Sequence, residues 1–221
     1  MKILIVSGFL GAGKTTFIKR LARNVDQRFA ILENEYGAAG IDGARLGQNR
    51  QGTQKNVWEM TEQCICCIGK KDFAASVLTI ANVVDPEYLI VEPTGVGSLA
   101  RIIENLRQIE YERIQLLSPV TIVDVYSYRR YMAEYPELYQ DQIRSADTII
   151  VSKTEACQAE EKQRIQKFLQ EINSQAKIIT DYASTMTRED YQSLLLGSRY
   201  EKKVQDTQSV EKMPETFSFE N

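Results

Sequence analysis

The eight residues Gly8 to Thr15, GFLGAGKT, constrain this chain more than any other stretch. They follow the apolar run KILIV (2–6) and precede Phe17, Ile18, Leu21 and Val25, whose spacing marks one face of a helix. Strand, glycine-rich turn and helix start, in that order, make an anion cradle. Gly11 and Gly13 let backbone N–H groups turn inward, and the helix N-terminus adds the positive end of its dipole. The spacing G-x-x-x-x-G-K-[ST] then assigns Lys14 to the β- and γ-phosphates of a nucleotide and the Thr15 hydroxyl to Mg²⁺. Gly11, Ala12, Gly13, Lys14, Thr15 and Thr16 are the expected phosphate-binding residues.

The rest of the chain repeats the alternation. The runs FAILEN (29–34), YLIVE (88–92), PVTIVDV (119–125), TIIVS (148–152) and KIIT (177–180) are short and apolar, as strands buried on both faces are. Phe73, Val77, Ile80 and Val84 share a helix face, as do Ile165, Phe168, Leu169 and Ile172. Strands alternating with amphipathic helices predict an α/β fold of the P-loop NTPase type, a mostly parallel sheet with helices on both faces. Residues 1–197 are expected to form this domain, and 198–221 a polar tail that ends in a candidate strand, ETFSFEN. The polar, glycine-rich segment 37–56 reads as a long loop.

Composition narrows the partners. The 27 basic and 30 acidic residues are interspersed, which gives no electrostatic footprint for nucleic acid or an anionic membrane. MKILIVSG is too short for the apolar region of a signal peptide, and no apolar run is long enough to span a bilayer. A cytoplasmic location is expected, where cysteines stay reduced.

Two further segments carry chemistry. In LIVEPTGVG (89–97), Glu92 ends a strand and can hold a Mg²⁺-bound water, while Gly95 can present its N–H to a γ-phosphate. Taken alone, the segment reads rather as a proline-containing turn after a buried strand, and its place between GFLGAGKT and SKTE points to the nucleotide role. Ser152-Lys153-Thr154-Glu155 resembles the N-K-x-D guanine signature, with serine and glutamate substituted. The Lys153 stem would lie on the purine face, and the Glu155 carboxylate would accept from guanine N1–H and its amino group, donors that adenine lacks. By itself, K-x-E also fits a solvated helix start.

Three of the four cysteines lie in TEQCICCIGKK (61–71), in a chain with no histidine. Cys64 and Cys66 share one side of an extended segment, Cys67 takes the other, and a tight bend would gather all three sulfurs. Three thiolates leave an open fourth position on a tetrahedral ion, which suits Zn²⁺ or Co²⁺ and excludes Mg²⁺ and Ca²⁺. The alternatives are inert buried cysteines or a redox pair.

In combination, SGFLGAGKTT, ILENEYGAAGID, CICC, EPTG and SKTE resemble the CobW-type GTPases, relatives of the HypB and UreG nickel-insertion GTPases, over about residues 1–182. The resemblance implies a GTPase with slow intrinsic turnover that couples GTP to delivery of zinc, cobalt or another transition metal, as a metal chaperone or a metallocofactor-insertion factor, corrinoid metabolism included. It implies Lys14, Thr15 and Glu92 as catalytic residues, Glu33 as a ligand or Mg²⁺ neighbour, and GTP or GDP, Mg²⁺ and Zn²⁺ or Co²⁺ as bound groups. A metalloprotein or cofactor-protein client follows from it, and a homodimer stays open. Three features depart from the family pattern: Ala38 stands where an acidic residue often follows ENEYG, there is no histidine-rich segment, and longer relatives continue into a second domain. Two other readings are a P-loop small-molecule kinase, which needs an arginine-rich lid, and a non-catalytic thiol redox or zinc-binding module, which leaves GFLGAGKT unexplained.

Overall fold

The computed structural model describes residues 1–27, 29–33, 57–61 (backbone only), 73–197 and 200. The first half of the chain runs β1 (Lys2–Gly8), α1 (Lys14–Asn24), β2 (Phe29–Glu33), β3 (Val57–Thr61), α2 (Phe73–Val83), β4 (Tyr88–Glu92) and α3 (Leu99–Arg107). Then follow β5 (Gln115–Leu116), β6 (Val120–Asp124), α4 (Tyr128–Glu134), α5 (Pro136–Arg144), β7 (Thr148–Ser152) and α6 (Ala159–Ile172). The last described elements are β8 (Lys177–Ile179), α7 (Tyr182–Thr185) and α8 (Arg188–Leu196).

The strands form one sheet in the order β3-β2-β4-β1-β6-β7-β8, with β5 beside the start of β1. Every pairing between these strands is parallel. The sheet grows outward from β1 in both directions, first through β4, β2 and β3, then through β6, β7 and β8. A crevice therefore opens at the carboxyl end of β1, where open α/β sheets bind ligands.

Alternating side chains distribute the strands over two faces. Leu4 and Val6 of β1 pack with Phe17, Ile18 and Leu21 of α1, Tyr182 of α7, and Tyr191 and Leu195 of α8. On the opposite face, Ile3 and Ile5 meet Val77 and Ile80 of α2 and Leu99 and Ile103 of α3. Further along that face, Val123, Ile149 and Val151 meet Tyr139 and Ile143 of α5 and Ile165 and Leu169 of α6. Burying each such side chain contributes about 1.5–3 kcal/mol. That apolar sandwich holds the carboxyl edge, where the polar residues gather, in place.

All six expected strands are present, and helices cover both faces. The sequence did not announce β3 or β5. VWEMT interleaves Val57, Trp58 and Met60 with Glu59, so it offers no continuous apolar run, and β5 has two residues. Segment 37–56 and the candidate strand ETFSFEN lie outside the described residues. Tyr200 donates its N–H to the Leu116 carbonyl at 2.8 Å, and Arg107 lies over its ring. Among the described residues no helix is long and apolar enough to cross a membrane.

Candidate functional site

The loop between β1 and α1 turns through glycines. Gly13 caps α1 in the left-handed region, at φ 98°, where a side chain would be strained. α1 has no side-chain cap and no acidic residue in its first turn, so no carboxylate of that turn competes for its N–H groups. Lys14 is buried, and its ammonium donates to the carbonyls of Gly8 at 3.0 Å and Phe9 at 3.3 Å. The cation is thereby held against the carbonyls of its own loop, beside the start of a helix, an arrangement suited to a polyphosphate.

The neighbouring strand end brings an oxygen cluster to the loop. Thr15 Oγ1 donates to Glu92, lying 3.0 Å from Oε1 and 3.2 Å from Oε2. Glu33 ends β2 in register with Glu92, and Thr61 ends β3 in register with Glu33. Residues in register on adjacent parallel strands point the same way, with backbones about 4.8 Å apart. Thr15, Glu92 and Glu33 thus share one stretch of the carboxyl edge. Cys64, Cys66 and Cys67 lie outside the described residues; the described strand that precedes them, β3, ends at Thr61. Among the described residues no group of three His, Cys, Asp or Glu side chains is placed to hold a metal ion.

The turn after Glu92 lies directly on the phosphate loop. A Cβ on Gly95 would come within 2.4 Å of Leu10 N and 2.9 Å of Leu10 Cα and the Phe9 carbonyl carbon. Gly95 is required here for close approach of two backbones. Gln142 of α5 donates through Nε2 to the carbonyls of Gly95 at 3.1 Å and Gly97 at 2.9 Å. Asp141 accepts the Leu99 N–H at 2.7 Å, and Ser98 caps α3 by accepting from the Arg101 N–H.

At the other side of the loop, Ser152 donates to the Ala12 carbonyl at 2.6 Å and so ties the end of β7 to the phosphate cradle. Lys153 follows in the left-handed region, at φ 61°, and its ammonium pairs with Asp124 Oδ2 at 2.7 Å. Burial pushes the Asp124 carboxyl up, but hydrogen bonds from Lys153, the Tyr126 N–H and Ser127, together with the Lys153 charge, outweigh it and hold the carboxyl below the ordinary aspartate range. The stem of Lys153 stays half exposed, and Glu155 is exposed two residues on. Thr154 is buried and bonds to Asp181, whose carboxylate pairs with Lys162 at 2.6 Å. The hydrogen bond from Lys162, helped by that from Thr154 and the Lys162 charge, holds the Asp181 carboxyl low against the opposing effect of burial. Tyr182 then packs edge-on against Phe17 of α1.

The structure therefore brings together Gly11 to Thr16, Glu92, Glu33, Gly95, Lys153 and Glu155 along one edge of the sheet. Sequence reasoning missed Asp124, Gln142 and Asp181. Asp124 carried a signal, since a carboxylate stands next to last in the run PVTIVDV much as Glu92 ends YLIVE.

A family model described as CobW/HypB/UreG, nucleotide-binding domain, matches residues 2–180. The zinc chaperone YeiR of Escherichia coli K12 is 30% identical over 178 residues, covering 79% of this chain and 53% of that protein. The zinc chaperone CobW of Pseudomonas aeruginosa is 27% identical over 209 residues, covering 81% of this chain and 56% of that one. The chain spans about half the length of these curated relatives. Among solved structures, the Zn(II)-bound YjiA GTPase from E. coli superposes with a TM-score of 0.62 at 22% identity, over 85% of this chain and 58% of that one. That likeness establishes the fold, a mostly parallel sheet with helices as in the P-loop GTPases.

Proposed function

Because the chain belongs to the CobW/HypB/UreG nucleotide-binding domain family, we propose that it binds and hydrolyses GTP to control the loading and release of a transition metal, zinc in the first instance, for a metalloprotein client. The observation that carries this reading is the bond from Thr15 to both oxygens of Glu92, one strand from Glu33 and two from the strand that leads into CICC. It supports a reading in which a phosphate-side group and a metal-side group share one edge.

The residues fit the groups they would hold. The Thr15 hydroxyl and the Glu92 carboxylate are hard oxygen donors, suited to Mg²⁺ that keeps several of its waters. An ion held there would supply positive charge to offset that of the phosphates. Lys14 and the N–H groups of residues 11–16 would hold the phosphates, and Gly95 would offer its N–H to the γ-phosphate. The Lys153 stem and the Glu155 carboxylate would read guanine. Among the described residues no glutamine stands in a recognisable water-positioning slot, and turnover without a partner or metal should be slow, since positioning provides most phosphoryl-transfer catalysis.

Cys64, Cys66 and Cys67, with Glu33, would hold the cargo ion. Cys64 follows Thr61 by three residues in the sequence, and Thr61 is in register with Glu33. Soft thiolates suit Zn²⁺, and the names of YeiR and CobW as zinc chaperones favour zinc over cobalt.

The test is a set of titrations. GTP and GDP should bind at least tenfold more tightly than ATP and ADP; equal affinities would reject the guanine assignment. Zn²⁺ affinity should differ about 5- to 150-fold between the GTP-analogue and GDP forms, with a reciprocal effect of Zn²⁺ on GTP. Cys66→Ala should weaken Zn²⁺ and leave GTP binding intact. Identical Zn²⁺ affinities in the two nucleotide forms would reject the coupling.

A further inference from the structure

We propose that Gln142 of α5 is a positioning residue that holds the Thr94–Gly97 turn on the phosphate loop and thereby sets how strongly the site distinguishes GTP from GDP; this rests on reading the site as a guanine-nucleotide switch. Gln142 is 1% exposed, and its amide nitrogen spans the turn, donating to the carbonyls on either side of Val96 at 3.1 and 2.9 Å. The amide orientation follows from those contacts, because its oxygen could not face two carbonyl oxygens. The residue is fixed at its other end too. Its own carbonyl accepts from Thr121 Oγ1 at 2.9 Å, and Thr121 lies on β6 in register with Ser7 of β1. The preceding residue, Asp141, accepts from the N-terminus of α3, so two successive side chains of α5 hold the turn and the helix that follows it.

The same support grips the phosphate loop. Tyr131 of α4 donates its hydroxyl to the Leu10 carbonyl at 3.1 Å, and the Phe9 ring packs against Tyr131 and against Tyr139 of α5, with centroids 4.6 and 5.1 Å apart. The spacing between loop and turn is therefore set by one pair of helices. Gly95 abuts Leu10 with no room for a methyl group, so small shifts of the turn move its N–H relative to whatever the loop holds. A γ-phosphate would feel that shift and a diphosphate would not. Gln142 thus acts on the GTP form through Gly95 without touching the nucleotide.

The experiment measures affinities of fluorescent GDP and of a non-hydrolysable GTP analogue for the full chain carrying Gln142→Met or Gln142→Glu, at pH 6, 7 and 8. Methionine keeps the length and removes both donors. It should lower GTP-analogue affinity about tenfold, the scale of one or two hydrogen bonds, while GDP stays within about twofold. Glutamate adds a titration. Burial raises a carboxyl pKa, so at low pH the neutral acid retains one O–H donor for the turn, and as pH rises the carboxylate repels both carbonyls. The GTP-over-GDP preference of Gln142→Glu, taken relative to wild type at each pH, should therefore fall from pH 6 to pH 8, with Gln142→Met flat. A residue with only a packing role would not produce that pH dependence. If Gln142→Met does not fold, the pH profile of Gln142→Glu decides. A wild-type preference that survives in both variants at every pH, or equal weakening of both nucleotides, overturns this inference alone. A wild type with equal affinities for the GTP analogue and GDP overturns this inference, whereas identical Zn²⁺ affinities in the two nucleotide forms overturn the switch reading on which it rests.

Discussion

Replacing Gly95 by alanine is the most direct probe of how the turn meets the phosphate loop. The added methyl would stand 2.4 Å from Leu10 N and 2.9 Å from two more backbone atoms. Non-bonded carbon contacts relax near 3.5–4.0 Å, so the two backbones must part by roughly 1 Å. Neither side yields easily: the Phe9 ring is enclosed by Tyr131, Tyr135 and Tyr139, and the turn is bonded to Gln142. Overpacking of this kind costs about 1–3 kcal/mol. At about 2–4 °C per kcal/mol for a chain of this size, melting should fall by roughly 2–12 °C. On the proposed reading, in which the Gly95 N–H serves the γ-phosphate, displacement would also take that donor out of range. Losing a hydrogen bond to a charged group costs about 1.5–3 kcal/mol, so GTP-analogue affinity should drop roughly 10- to 150-fold. GDP affinity should change far less. Thermal melts and paired titrations of the two nucleotides read both effects. A Gly95→Ala protein with wild-type melting and a wild-type ratio of GTP to GDP affinity would refute the argument at its root, because the close approach would then carry no constraint.

Lys14→Ala should abolish the rise in melting temperature that GTP or GDP gives to the wild type, since the Lys14 ammonium is the cation bonded within the loop among the described residues; a nucleotide-induced shift that persists would mean the phosphates lie elsewhere. Asp124→Asn tests the pair with Lys153 through pH. The folded carboxyl titrates below its unfolded value of about 3.9. The pair therefore stabilises the fold above that pH, and the contribution is lost as pH falls through the folded value. Wild type should lose stability more steeply than Asp124→Asn below about pH 4 in urea unfolding; parallel curves would show that the pair contributes nothing.

How much of this was legible in the sequence depends on the range of each contact. GFLGAGKT could be read because its meaning is local: glycine dihedrals, a helix start and a lysine all lie within one turn of chain. Glu92 and Glu33 could be placed at strand ends, but their register, which makes them neighbours, belongs to the sheet. The roles of Asp124, Ser152 and Asp181 come from bonds to Lys153, Ala12 and Lys162. No spacing rule links Ala12 to Ser152. Gln142 is the instructive case. On PELYQDQIR it looks like Gln140, which bonds to Arg144 on the helix surface. Yet Tyr139, Gln142 and Ile143 are the buried residues of this helix, at the i, i+3 and i+4 spacing of a core-facing stripe. A polar side chain on such a stripe needs partners, because an unpaired amide in the core costs several kcal/mol; here Nε2 has two, while the buried Oε1 has none among the described residues. The helical period alone could therefore have announced that Gln142 is bonded to something. Only the fold could say that the partner is the turn packed on the Gly8–Thr15 loop.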